Sequence, residues 1–191
     1  MNSHTTLLAT LSLLLPVSVS SQVKPEKRVA ELTFAVPDQG EQTLLQFRGK
    51  VMALELISTG CLACENSVRI LSAIQKEFGT GRFQALAIAV NPNAEVSTPE
   101  FTREQNATFP IGFATREQAR KLLDIGPEDR FALPQILLLD TKGQIRYRTA
   151  AIGSDPLRTE AALRQRVQVL LNPAPAPSKT ESTRENAISG K

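Results

Sequence analysis

Cys61 and Cys64 are the only two cysteines in a chain of 191 residues, and they stand in one short motif, Cys61-Leu62-Ala63-Cys64. The flanking sequence restricts the fold around them. Immediately upstream runs Val51-Met52-Ala53-Leu54-Glu55-Leu56-Ile57, apolar but for Glu55, the pattern of a buried strand. Downstream, Val68, Leu71, Ile74 and Phe78 recur at the spacing of one helix face. The pair therefore sits where a buried strand turns into a helix, with Cys61 at the helix start. Unpaired N–H groups and the positive end of the helix dipole favour a thiolate at such a place. A thiolate there attacks disulfides at neutral pH, and a second thiol at Cys64 can resolve the mixed disulfide.

Two bland readings compete with this one. A structural disulfide would close a tiny loop and gain little entropy from it. A zinc site needs two more ligands, and the single histidine, His4, lies in the N-terminal leader. With His4 removed no histidine remains, which excludes Ser-His-Asp and Cys-His catalysis. No G-x-x-x-x-G-K-S/T loop occurs, and Gly79-Thr80-Gly81 lacks the third glycine and preceding strand of a dinucleotide site. No cofactor or metal is expected. The formal net charge is +3, but the arginines are scattered and aromatic residues make up 5%, so nucleic-acid binding is not expected.

A hydrophobic content of 41% suits one soluble domain of this length. Residues 5–19 form an apolar and hydroxylic stretch too short for a comfortable membrane span. Ser18 and Ser20 have the spacing a signal peptidase accepts, so residues 1–21 are expected to be a signal peptide of an exported, periplasmic protein. No Lys or Arg precedes the apolar run, so an uncleaved anchor is the alternative. Residues 172–191, with Pro173, Pro175 and Pro177 among Ser, Thr and Lys, are expected to be a disordered tail. Residues 22–171 then form the folded domain.

Within it, Leu32–Val36 reads as a strand, Pro37-Asp38-Gln39-Gly40 as a turn, and Thr43–Leu45 as a resumed extended run. The cysteine helix ends near Gly79, and Phe83–Val90 is a second buried strand. Ser97 and Thr98 open a helix through Asn106 with Pro99 in its first turn. Phe109–Phe113 is a short strand, and Thr115–Asp124 a helix ended by Gly126-Pro127. Pro134–Asp140 and Gln144–Ala150 form a hairpin, and Asp155–Leu171 a last helix. The order predicts an α/β layer fold with a central mixed sheet.

This order, with the cysteines after the apolar strand, resembles the thioredoxin fold, and most closely the exported TlpA/ResA-like thiol–disulfide oxidoreductases of the wider redoxin family. The likeness runs over residues 32–171. Phe34-Ala35-Val36-Pro37-Asp38 and Phe47-Arg48-Gly49-Lys50-Val51 are similar to that group's N-terminal β-hairpin. The resemblance implies a three-layer fold with helices on both faces of the sheet. It makes Cys61 the nucleophile, Cys64 the resolving cysteine, and Leu133-Pro134 a cis-proline that presents backbone to an extended substrate. Glu55, six residues before Cys61, falls where thioredoxins place a buried acid. Three departures concern substrate and potential: Gly60 stands in place of tryptophan, Ser67 and Arg69 in place of an acid and a proline, and Leu62-Ala63 between the cysteines.

Glu55 can be read as a buried acid of raised pKa that takes a proton from Cys64, or as a residue facing the other way and paired with Lys50 or Arg48. Pro134 can equally begin an edge strand whose N–H is not needed. The sequence reading is a monomeric exported enzyme that reduces protein disulfides, with a membrane-embedded thiol transporter as electron source. Two alternatives stand beside it. A peroxiredoxin-type peroxidase shares the scaffold; Ser58 meets its requirement for a hydroxyl three residues before the cysteine, but Leu54 replaces its proline and Pro134 its arginine. A non-catalytic binding protein on the same fold is the other.

Overall fold

The computed structural model describes Val29 and residues 32–173. The expected signal peptide, and the expected tail beyond Pro173, lie outside the described residues.

Seven strands form one mixed sheet in the order β2-β1-β5-β4-β3-β6-β7. They are β1 (Thr33–Val36), β2 (Gly40–Thr43), β3 (Val51–Ile57), β4 (Phe83–Ala89), β5 (Ile111–Phe113), β6 (Gln135–Leu139) and β7 (Ile145–Arg148). β3, β4 and β5 run parallel, and β6 lies antiparallel on the other side of β3. The helices are α1 (Leu62–Phe78), α2 (Ala94–Glu104), α3 (Arg116–Leu123) and α4 (Glu160–Leu171). Strands β3, β4 and β6 are buried at every residue, which is why their sequences do not alternate.

Alternation persists as a division of the core. Val51, Ala53 and Ile57 of β3 pack with Val68, Leu71 and Ile74 of α1 and with Leu163 and Val167 of α4. Met52, Leu54 and Leu56 pack on the opposite face with Leu122 and Leu123 of α3 and with Phe34 of β1. Helices therefore cover both faces, and the hairpin β1–β2 extends the sheet at one edge. The architecture is the expected three-layer α/β fold with an N-terminal hairpin.

Several boundaries differ from the sequence reading, each for a local reason. The run expected to stay extended at Thr43–Leu45 leaves β2 at Thr43 and becomes a 3₁₀ turn, Leu44–Phe47, because Leu44 turns inward to the core. Helix α2 begins at Ala94 rather than Ser97, since the Asn93 carbonyl already accepts from the Val96 and Ser97 amides at 3.0 and 3.1 Å. The Ser97 and Thr98 hydroxyls do not cap this helix; they donate backward to the carbonyls of Asn93 and Ala94. Pro99 consequently lies inside the helix, where it can donate nothing to the Glu95 carbonyl. The last helix is also shorter than expected. Asp155 caps a 3₁₀ turn over Pro156–Arg158, and Thr159 caps α4 separately. The strands expected from Phe109 and from Gln144 narrow to Ile111–Phe113 and Ile145–Arg148.

Candidate active site

β3 delivers the chain to the C-terminal pole of the sheet, where Ser58-Thr59-Gly60 turns into α1. Cys61 is the N-cap of that helix, with extended backbone (φ −118°, ψ 109°). Its Sγ accepts from the Cys64 N–H at 3.3 Å, so a helix-start amide points at the sulfur. Cys61 is half-buried and Cys64 fully buried; both are thiols. A Cβ added at Gly60 would meet no atom within 4 Å, so open space borders the position before Cys61. Leu62, 80% exposed, stands out beside it.

A small polar network pins this turn to the end of β4. Asn91 Oδ1 accepts from the Thr59 N–H at 3.1 Å, and its Nδ2 donates to Thr59 Oγ1 at 3.1 Å. The Thr59 and Ser97 hydroxyls lie 2.9 Å apart. The Cys61 N–H itself donates to the Ser58 carbonyl. Asn91 gave no sign in the sequence, because its partner lies 32 positions away.

Glu55 faces α1, on the same side of β3 as Ala53 and Ile57, and is fully buried. The alternative of a pair with Lys50 or Arg48 is not what the fold adopts. Neither carboxyl oxygen has a hydrogen-bond partner among the described residues. Burial therefore pushes Glu55 up to about 8, and the nearby Ser67 hydroxyl moderates the rise without making a hydrogen bond of good geometry. Cys64 is also pushed up, first by burial and then by its contact with Cys61; the charges of Cys61 and Glu55 add to the rise, and the Ser58 backbone opposes it. Ser67 is buried at the sheet side of α1, whereas Arg69 points outward to Gln105 Oε1 at 2.8 Å.

The Leu133–Pro134 peptide is cis. The β3–β6 register pairs Leu56 with Gln135, so Pro134 enters the sheet level with the end of β3. Leu133 packs against the same core cluster as Cys61. Cys61, Cys64, Glu55, Leu133 and Pro134 thus gather at one pole. The residues that hold the Pro134 segment in place, Gln135, Thr149 and Arg158, were not evident in the sequence. Among the described residues no cluster of three or more His, Cys, Asp or Glu could hold a metal.

The thiol–disulfide oxidoreductase ResA of Geobacillus kaustophilus is 26% identical over 106 residues, covering 56% of this chain and 58% of that protein. The chain thus matches less than two thirds of that relative's length. A thioredoxin-family thiol:disulfide interchange protein from Chlorobium tepidum superposes with a TM-score of 0.63 at 18% identity, over 81% of this chain and all of that one. A secreted Mycobacterium tuberculosis disulfide oxidoreductase superposes with a TM-score of 0.59 at 14% identity, over 75% and 98%. These structures share the thioredoxin-like fold. The AhpC/TSA family model matches residues 26–148, from ahead of β1 through the cysteines and the cis-proline to the end of β7, and the chain belongs to that family.

Proposed function

We propose that this protein is a thiol–disulfide oxidoreductase that reduces protein disulfides with the Cys61–Cys64 dithiol. The observation that carries the reading is the asymmetry of the pair: Cys61 half-exposed at the start of α1 with an amide aimed at its sulfur, Cys64 sealed beneath it. The Cys61 thiolate attacks one sulfur of the substrate disulfide, and the other sulfur leaves as a thiolate. Cys64 then loses its proton and attacks Cys61 Sγ, which releases the second substrate sulfur as a thiol. Two electrons pass to the substrate and a Cys61–Cys64 disulfide remains.

Glu55 is the proposed proton acceptor for Cys64. It is the acid whose charge acts on that thiol, and the second step needs a proton removed from a dry place. Leu133 and Pro134 are proposed to offer backbone to the substrate chain beside Cys61. The direction is reduction, and a membrane-embedded thiol transporter is the proposed source of electrons. Export is proposed from the expected leader at residues 1–21; one protein of similar fold is described as secreted. Among the described residues no helix is long and apolar enough to cross a membrane.

A peroxide-reducing role would need a guanidinium beside Cys61. Arg158, bonded to the Pro134 carbonyl, is turned away to the carbonyls of Ala150 and Gly153 as well. The decisive experiment is a Cys64→Ser variant incubated with a disulfide-bonded protein. A mixed disulfide through Cys61 supports the proposal; absence of any adduct favours a non-catalytic binding protein, and consumption of peroxide without disulfide exchange favours a peroxidase.

A further inference from the structure

The segment entering β6 and the segment leaving β7 are tied together by two side chains with no part in the exchange chemistry. Gln135, the first residue of β6, is buried on the α3 face of the sheet, away from Cys64. Its Nε2 donates to the carbonyls of Ala132 at 2.8 Å, Ala150 at 3.0 Å and Ala151 at 3.3 Å. Its Oε1 accepts from the Thr149 hydroxyl at 3.1 Å, and Thr149 Oγ1 accepts in turn from the Ile136 N–H. Arg158, in the 3₁₀ turn ahead of α4, closes the other side. Its Nε donates to the Pro134 carbonyl at 3.2 Å, Nη2 to the Ala150 carbonyl at 3.0 Å, and Nη1 to the Gly153 carbonyl. A backbone bond from the Ala132 N–H to the Ala151 carbonyl, 2.7 Å long, joins the two segments directly.

The cost of this arrangement is considerable. A glutamine amide is buried, and a guanidinium with large rotamer freedom is held by backbone carbonyls alone. What is immobilised is local: Leu133-Pro134 on one side and Ala150–Gly153 on the other. Sheet register puts both at the pole where β3 delivers the cysteines, since Thr149 follows β7 opposite Ile136. Ile152, 63% exposed, and the half-buried Leu133 give this pole apolar side chains.

We propose that Gln135 and Arg158 are positioning residues that lock the Leu133–Pro134 segment to the Ala150–Gly153 turn, forming one rigid rim for an extended stretch of the polypeptide that carries the substrate disulfide. The inference rests on the exchange reaction proposed above and specifies how its substrate is held. A rim fixed before encounter spares the ordering entropy that binding would otherwise cost. Its loss acts on substrates long enough to lie along it, and leaves small disulfides, which need only Cys61, unaffected.

The test compares the full chain with its Arg158→Met and Gln135→Met variants, using insulin as the protein disulfide with dithiothreitol regenerating the dithiol, and dithionitrobenzoate as the small one in a single turnover of the prereduced chain. In Arg158→Met the KM for insulin rises about tenfold with kcat nearly unchanged, and the rate with dithionitrobenzoate stays within about twofold of the parent. Gln135→Met, if it folds, gives the same split. A parallel fall with both disulfides, or an unchanged KM for insulin in Arg158→Met, overturns the proposal. Amide exchange supplies a readout independent of turnover. The Ala132 N–H of Arg158→Met exchanges about tenfold faster or more, while amides in the middle of β3 keep their protection. Unchanged protection at Ala132 overturns the lock even if the parent chain reduces neither disulfide, a result that separately sinks the exchange reading.

Discussion

Glu55 and Cys64 are buried together between β3 and α1, and the charge of Glu55 disfavours ionisation of Cys64. Two acids in that position cannot both be anions at modest cost. At neutral pH both are therefore mostly protonated; Glu55 gives up its proton first, and the Cys64 proton must then be passed on before Cys64 can attack. The predictions concern this proton, the division of labour between the cysteines, and the sheet that supports them.

Cys61→Ser abolishes disulfide exchange, and Cys64→Ser halts it at a covalent adduct. The burial difference sets the expectation, because alkylating reagents reach a half-buried sulfur at a helix start before a sealed one. Mass spectrometry after brief iodoacetamide treatment measures it. Faster labelling of Cys64 than Cys61 reverses the assigned roles.

Glu55→Gln keeps the shape of the carboxyl and removes the base. The second step of exchange slows by about a hundredfold, while formation of the mixed disulfide changes little. In the parent the second step accelerates as pH rises through about 8, where the carboxyl becomes the anion able to accept the proton. In the variant that inflection is gone, and the deficit shrinks at high pH as Cys64 ionises unaided. Stopped-flow resolution of a preformed mixed disulfide across pH is the measurement, and a deficit independent of pH assigns Glu55 to folding alone.

The same substitution changes how stability depends on pH. Glu55 has a folded-state value raised from 4.5 to about 8, so between those values the folded chain holds a proton the unfolded chain has lost. Stability contributed by the neutral acid is present below the unfolded value and declines as pH rises toward the folded one. The full difference is at most on the order of 5 kcal/mol, from about 1.4 kcal/mol per unit. Urea unfolding at pH 5 and pH 8 shows a larger loss for the parent than for Glu55→Gln; equal slopes with pH contradict a protonated buried Glu55.

Asn91→Ala leaves the Thr59 N–H without its side-chain acceptor and loosens the turn ahead of Cys61. A loss of about 1 to 2 kcal/mol in stability is expected, accompanied by an altered time course of Cys61 alkylation at fixed pH. Asn91→Asp, which keeps the acceptor oxygen, restores part of both. A stability loss with an unaltered alkylation time course makes Asn91 a support of β4 only.

Gly112→Ala tests the joint between β5 and the N-terminal hairpin. A Cβ there would lie 2.6 Å from the Ala35 carbonyl oxygen and 2.8 Å from a ring carbon of Phe34. Backbone cannot yield as a flexible side chain can, so a destabilisation of about 1 to 3 kcal/mol is expected, with exchange chemistry intact in the folded fraction. Guanidinium unfolding with an unchanged midpoint contradicts this close approach.

Much of the architecture was written locally. The run Val51–Ile57 reads as a buried strand, and Val68, Leu71 and Ile74 as one face of the helix that follows; both form as expected. Their junction places Cys61 at a helix start. Thr115 with Gln118 forms the capping box where a helix start was expected. Misplaced boundaries were those where a polar side chain had two local options. Ser97 and Thr98 suit a cap or a backward bond to the preceding turn, and the burial of Ala94 and Phe101 decided between them.

Glu55 marks the limit of the one-dimensional reading. That a carboxylate inside an apolar strand needed an explanation was legible; which face it took depended on the β3–β4 and β3–β6 registers, since strand side chains alternate and a one-residue slip exchanges the faces. Asn91, Gln135 and Arg158 were silent for a related reason. Each is defined by hydrogen bonds to backbone groups of loops, and carbonyls and amides look the same at every position of a sequence. The sequence by itself determined the strand, the helix and the sulfur at their junction, because hydrophobic period and helix ends are short-range properties. Only the tertiary structure decided what surrounds that sulfur, because the partners of Thr59, Cys64 and Pro134 are brought to one pole by the pairing of strands distant in the chain.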